Sequence, residues 1–277
     1  MYAFEFQDRA LVVRLSLTDE DFAKDRVASG FATRDLPVPR LLELGQALDR
    51  YFAISERAPG RPLDELSAAE MRAVLPSLLG ALDVIRETDL TGTAGWGRWS
   101  RSGDAPSASW SSFLLDVANG PGPTSRIQGW RERLDASPTG SGPFDRAFNH
   151  LRELCALLPE VRCLVHADLL NRNVLVSGSA VSAVLDWGNA MYGDFLYDVA
   201  WLHFWSPWFP QWAGIDFVAT ARRHFAAVGV DVPDFEVRLR ACLVHIGLDG
   251  QAYSAFKGRG DEVEATSRRT VGFIEAP

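Results

Sequence analysis

The sequence predicts an α+β fold in two lobes, a small antiparallel-sheet lobe over residues 1–57 and a larger, mainly helical lobe over 58–277. Three observations predict it. Short period-two runs, Tyr2-Phe4-Phe6 foremost, open the chain and mark a small sheet. Glu56-Arg57-Ala58-Pro59-Gly60 interrupts that pattern with Pro-Gly punctuation, which sets the lobe boundary. Beyond it the chain reads mainly as helix, interrupted most clearly by one apolar hairpin, Asn173-Val174-Leu175-Val176 returning through Val181-Ser182-Ala183-Val184-Leu185-Asp186. At 277 residues the chain is long enough for one large domain or for two lobes.

The elements follow in order. Leu11-Val12-Val13-Arg14-Leu15 is the second strand, joined to the first by a turn at Gln7-Asp8-Arg9. Thr18, with Asp21 three residues on, starts a helix that runs to about Ala32, before Pro37 and Pro39. Leu41-Leu42-Glu43-Leu44 and Tyr51-Phe52-Ala53-Ile54-Ser55 read as a strand pair. Ser67-Ala68-Ala69-Glu70 is a capping box, and a long helix follows to about Thr88. Residues 91–109, rich in Gly, Ser and Trp, read as an irregular surface loop. Two or three helices fill 109–157, with a break at 137–143. Cys163-Leu164-Val165 is a strand, and beyond Asp194 the chain reads as helical to its end, broken near Pro207, Pro210 and Pro233.

Composition narrows the functions. The net charge of −8 and the pI near 5.2 argue against a general nucleic-acid binder. They suit a cationic small molecule. Three cysteines without CxxC spacing, Cys155, Cys163 and Cys242, predict reduced thiols and no disulfide framework. The N-terminus has no secretory signal, and no stretch nears the roughly eighteen apolar residues of a membrane span. A cytoplasmic location, a monomer and no membrane partner are the expectations. Hydrolase signatures, Gly-x-Ser-x-Gly and His-Glu-x-x-His, are absent.

The chemistry concentrates in His166-Ala167-Asp168-Leu169-Leu170-Asn171-Arg172-Asn173 and in Asp186. Turn chemistry alone explains Asn171 and Asn173. It does not explain Asp186, an acid at the end of an apolar strand, where it is costly unless paired, hydrogen-bonded or on a metal. Phosphoryl transfer needs this set: one carboxylate near the acceptor hydroxyl, and an amide oxygen and a second carboxylate for Mg²⁺. Further on, Asp194, Asp198, Trp201, Trp205, Trp208 and Trp212 recur at spacings of four and three, one face of a continuous helix. Either they form an acidic and aromatic wall for a cationic sugar, or they are a core face; Pro207 and Pro210 detach the last two.

These residues, with five longer segments, give a specific resemblance. The segments are Asp35-Leu36-Pro37-Val38-Pro39, Ile54-Ser55-Glu56-Arg57-Ala58-Pro59-Gly60, Pro159-Glu160-Val161-Arg162-Cys163-Leu164-Val165-His166-Ala167-Asp168, Phe204-Trp205-Ser206-Pro207-Trp208 and His245-Ile246-Gly247-Leu248-Asp249. Together they resemble the aminoglycoside phosphotransferase family of the protein-kinase-like fold, most of all its hygromycin B, 4-O type. The resemblance implies ATP and Mg²⁺, and transfer to a hydroxyl of a cationic aminoglycoside. It makes Asp168 the catalytic carboxylate that orients the acceptor hydroxyl, Asn173 and Asp186 the metal ligands, and His166 and Asp194 braces of the loop. Arg14 stands where the family's phosphate-binding cation lies, with Asp25, or else Asp21, as its helix partner. Glu56 and Ala58 fall at the hinge whose backbone meets adenine. Asp198, Trp201, Trp205 and Asp249 are the candidates for the substrate. A kinase for another small hydroxyl metabolite (homoserine, choline or a sugar) is the alternative, and a non-catalytic nucleotide-binding remnant is a third reading.

The resemblance departs at the start. Tyr2-Ala3-Phe4 corresponds to the second strand of such a lobe, and the first strand and phosphate-covering loop have no counterpart. Gly95-Trp96-Gly97 and Gly120-Pro121-Gly122-Pro123 do not follow strands and do not replace it. Without those backbone donors to phosphate, ATP binding is expected to be weaker than in a relative with a complete loop. Isothermal titration checks this, and ordinary micromolar affinity contradicts it.

Overall fold

In the computed structural model, which describes residues 1–119 and 127–275, the chain opens on a four-stranded antiparallel sheet. Its strands are β1 (Tyr2–Phe6), β2 (Arg9–Ser16), β3 (Leu41–Ala47) and β4 (Arg50–Glu56), in the order β1-β2-β4-β3. Both hairpins turn on consecutive left-handed residues, Gln7 and Asp8 at φ 51° and 60°, Leu48 and Asp49 at 51° and 57°. Two left-handed residues in a row match the right-handed twist of the flanking strands. Val13 pairs with Tyr2 and Ile54, whereas Arg14 pairs with Ala53, so Arg14 and the buried Ala53 share the opposite face.

Helix α1 (Glu20–Ser29) lies beside this sheet and ends three residues earlier than the sequence suggests. It buries Phe22, Lys24, Asp25 and Ala28. After it, Leu36 inserts into the core, and the Pro37 carbonyl accepts the Val184 amide at 2.8 Å. The capping box at Ser67 and Glu70 is present and starts α2 (Ala68–Glu87).

The stretch 91–109 is not wholly irregular. Gly97–Arg98 forms β6, which pairs with β10 (Met191–Gly193); β10 pairs in turn with β7 (Cys163–Val165). A two-residue strand carries no readable periodicity, which is why the sequence does not reveal it. The segment Gly120-Pro121-Gly122-Pro123 lies outside the described residues. Among the described residues, three α-helices fill the region up to β7: α3 (Trp110–Leu115), α4 (Trp130–Asp135) and α5 (Gly142–Cys155). The hairpin is β8 (Val174–Ser177) and β9 (Ala180–Val184), extended by β5 (Arg61–Pro62) along β8.

Beyond Asp194 come α6 (Leu196–Trp205), two short 3₁₀ turns at 206–208 and 210–212, α7 (Phe217–Ala227), α8 (Phe235–Phe256) and α9 (Gly260–Glu275). Helix α8 is buried on nearly every face, as expected for a central helix. At Gly247 a Cβ would stand 2.1 Å from the Thr270 hydroxyl, so glycine sets how closely α8 and α9 approach. One apolar cluster surrounds α5, α6 and α8. The other joins α2, β7, β8 and β9 with Ala28 and Leu36. No helix among the described residues is long and apolar enough to cross a membrane.

A buried ion pair fixes the start of α8. Arg238 donates to both oxygens of Asp194, at 2.8 and 2.9 Å, with the two side chains 2% and 1% exposed. Arg238→Met leaves that charge without its partner and is expected to cost about 3–5 kcal/mol in chemical denaturation. Wild-type stability contradicts this.

Candidate active site

The site is built on the chain leaving β7. Ala167, buried, takes φ 60°, a conformation that costs an L-residue roughly 1–2 kcal/mol. The turn points the amides of His166 and Ala167 inward, and both are received by one carboxylate: Asp198 accepts them at 2.9 and 2.8 Å. His166 sits beneath the loop. Its Nδ1 accepts the Asp168 amide at 3.2 Å, so Nε2 carries the proton and donates to the Leu185 carbonyl at 2.9 Å. Burial lowers its pKa to about 4, which keeps the ring neutral.

Asp168 emerges at the mouth. Asn171 donates to one of its oxygens at 3.0 Å and Asn189 to the other at 3.1 Å. Burial pushes its carboxyl up to about 6, against these amide hydrogen bonds. Asn171 and Asn189 belong to the site and were not singled out from the sequence. Asn171 has the form of ordinary turn chemistry, and Asn189 follows Asp186-Trp187-Gly188 with no pattern of its own.

Asn173 and Asp186 come together at the open end of the hairpin, where the Leu185 amide donates to the Asn173 carbonyl at 2.7 Å. The Asn173 Nδ2 donates to the Asp168 carbonyl at 2.8 Å, leaving its Oδ1 as the atom for a ligand. Asp186 is exposed and takes φ 56°. An amide oxygen beside a carboxylate suits Mg²⁺, which takes few protein ligands and completes its shell with water and phosphate. No group of three or more His, Cys, Asp or Glu able to hold a metal occurs among the described residues.

Helix α1 ties the sheet to this mouth. The Arg14 guanidinium bonds one oxygen of Asp25, and the other oxygen accepts the Trp187 amide at 3.0 Å. Burial raises the Asp25 pKa, opposed by Arg14 and Trp187. Lys24, 5% exposed, donates to the Gly188 carbonyl at 2.8 Å, a contact that spacing alone does not suggest. Asp21 approaches the same turn: a Cβ on Gly188 would meet its oxygen and that of Asp186 at 3.2 Å each. Glu56 ends β4 with its side chain on Arg9 and Arg40, and Ala58 follows, half-buried. Only backbone there is suited to a ligand.

Asp194, just before α6, and Asp198, within it, do not take their expected places. Asp198 is 2% exposed, and both its oxygens hold the loop, so it offers nothing to a substrate ammonium. Burial pushes it up to about 6 against its two amide bonds. Asp194 does not brace the loop; it receives Arg238 and the Leu196 amide. Trp201 and Trp205 are half-buried and packed on both apolar clusters. Their indole N–H groups are buried with no hydrogen-bond partner among the described residues. The Trp205 ring lies against Gly250, next to Asp249, and Trp201 stacks on Tyr197, whose hydroxyl is bonded to His245 at 3.0 Å. Trp212 leaves this face altogether and donates to the Leu66 carbonyl. Asp249 is paired with Arg98 at 3.0 Å. Burial would raise its carboxyl, but the guanidinium holds it below the usual range.

The chain matches the model of a phosphotransferase enzyme family over residues 2–237. It is 32% identical to the hygromycin-B 4-O-kinase of Escherichia coli, over 99% of this chain and 77% of that protein. The solved structure of aminoglycoside phosphotransferase APH(4)-Ia is similar with a TM-score of 0.83 at 31% identity, covering 99% of this chain and 90% of that one. A thermostable mutant of APH(4)-Ia in ternary complex with AMP-PNP and hygromycin B gives 0.83 at 31%, over 98% and 88%. The choline kinase LicA of Streptococcus pneumoniae shares the fold, with a TM-score of 0.61 at 11% identity over 99% and 88%.

Asp198→Ala removes the acceptor of two buried amides. It is expected to cost about 2–4 kcal/mol in urea unfolding and to lower turnover at least roughly 100-fold. Unchanged stability and rate contradict the bracing role.

Proposed function

The chain belongs to the phosphotransferase enzyme family, and on that premise we propose that it transfers the γ-phosphoryl group of ATP to a hydroxyl of an aminoglycoside, with hygromycin B the foremost acceptor. The observation that carries the reading is the Asp168 carboxylate, oriented by Asn171 and Asn189 beside the oxygens of Asn173 and Asp186. The identity to a hygromycin-B kinase over nearly the whole chain supports the acceptor class.

In this reading Asp168 accepts a hydrogen bond from the acceptor hydroxyl and holds its oxygen in line with the γ-phosphorus. The new O–P bond forms as the bond to the β-phosphate oxygen breaks, and ADP departs. The transition state is loose, so the proton passes to Asp168 late and little base strength is needed. Orientation supplies most of the rate, which is why both Asp168 oxygens are fixed by neutral amides that leave its charge intact. Asn173 and Asp186 would hold Mg²⁺, which neutralises phosphate charge when bound. Arg14, kept in place by Asp25, faces the phosphates from the sheet, and the backbone at Glu56 and Ala58 meets the base. The enzyme acts on a small molecule, as a monomer in the cytoplasm. The three free cysteines fit a reducing compartment.

The test is ADP release with ATP and Mg²⁺ across aminoglycosides and small alcohols, alongside Asp168→Ala. Turnover with hygromycin B, reduced roughly 1,000-fold or more in the variant, is the expected outcome. Turnover only with homoserine, choline or sugars selects a metabolite kinase. Nucleotide binding without turnover selects a non-catalytic protein.

A further inference from the structure

The wall around Asp249 contains a cation that the chemistry above does not use. Arg98 lies on β6, opposite Met191 of β10, and Met191 is opposite Val165, three residues before Asp168. Its guanidinium crosses to α8 and donates to Asp249 Oδ2 at 3.0 Å. The two side chains remain 42% and 29% exposed, so the pair faces solvent and is not a core brace. Tyr197 and Trp201 stand beside it on α6. The backbone of Arg98 is held in place. Its neighbour Gly97 is pressed against Phe113, and its other neighbour Trp99 is 2% exposed, so the strand carrying it is anchored on both sides. The negative charges of Asp249 and, more weakly, Asp168 hold the guanidinium protonated.

We propose that Arg98 is a specificity-determining residue for the acceptor, one that neutralises Asp249 and so selects acceptors with few positive charges near the transferred phosphoryl group. This rests on the aminoglycoside reading above. A substrate ammonium gains the Asp249 carboxylate only by displacing the guanidinium, which stays within reach and repels it. A hydroxyl-bearing ring of low charge suffers neither penalty. A half-exposed pair of this kind adds little to stability, so its effect belongs to discrimination and not to folding.

The experiment measures KM and kcat for aminoglycosides graded by number of ammonium groups, in the wild type, Arg98→Gln, Arg98→Lys, Asp249→Asn and the Arg98→Gln/Asp249→Asn double variant. Arg98→Gln is expected to lower KM roughly three- to tenfold for the most highly charged acceptors and by less than about twofold for the least charged. Arg98→Lys keeps the wild-type order. Asp249→Asn raises KM in step with acceptor charge, because the guanidinium is left unopposed, and the double variant returns toward the wild type. If Arg98→Gln does not fold, the grading in Asp249→Asn decides. A change in KM that is uniform across the panel, or a loss confined to kcat, overturns the role of Arg98 and leaves the phosphotransferase reading standing. A wild type silent toward every aminoglycoside overturns both.

Discussion

The chain turns back on itself at Ala167, and the site depends on what lies beneath that turn. A left-handed alanine is unfavourable, and two inward-facing amides away from water are more so. The Asp198 carboxylate resolves both by accepting the two amides from below. Its own burial is the cost: the charge is held where its pKa climbs to about 6. From this point the geometry propagates outward. His166 receives the Asp168 amide and fastens to Leu185, which registers the loop against the hairpin. Asn173 closes onto the Asp168 carbonyl, which registers the two ends of the mouth against each other.

Asp25 is the second junction. One carboxylate joins a strand, a helix and the turn after Asp186, because one oxygen takes the Arg14 guanidinium and the other the Trp187 amide. Lys24, the adjacent residue, binds the next carbonyl of the same turn. Two neighbouring helical residues of opposite charge therefore grip an amide and a carbonyl of one turn. Helix α1 cannot shift without moving both Arg14 and the segment bearing Asp186. The Pro37 carbonyl, bound to Val184, holds the other approach to that segment.

What the sequence makes legible is what periodicity and local chemistry encode. The strand at Tyr2-Phe4-Phe6, the capping box at Ser67 and the apolar hairpin between Asn173 and Asp186 each appear where the residues put them, although all five residues of that strand are exposed and its alternation marks no buried face. The pairing of Arg14 with Asp25 follows from resemblance, and the two side chains are in contact in the structure. The acids at the start of α6 were not legible. Asp194 and Asp198 stand one helical turn apart, and spacing cannot tell which lies under the loop; the distant Arg238 decides it by claiming Asp194. Arg98 and Asn189 escaped for a related reason. Each sits in an element of two or three residues, too short to carry a period, and acquires its partner only through tertiary contact, with Asp249 and Asp168. Only Trp201 and Trp205 lie on the helix, one turn apart, and their period leaves the purpose ambiguous, since rings that pack a core and rings that line a sugar site share it.

In the proposed function, Asp168 directs a phosphoryl group onto an aminoglycoside hydroxyl. The most direct measurement is the mass and ³¹P spectrum of hygromycin B after incubation with ATP, Mg²⁺ and the protein, beside an Asp168→Asn sample confirmed as folded. The wild type is expected to form a product heavier by one phosphoryl group, with phosphorus in a monoester, and the variant is not. An unmodified antibiotic, or the same product formed at the same rate by Asp168→Asn, would contradict it.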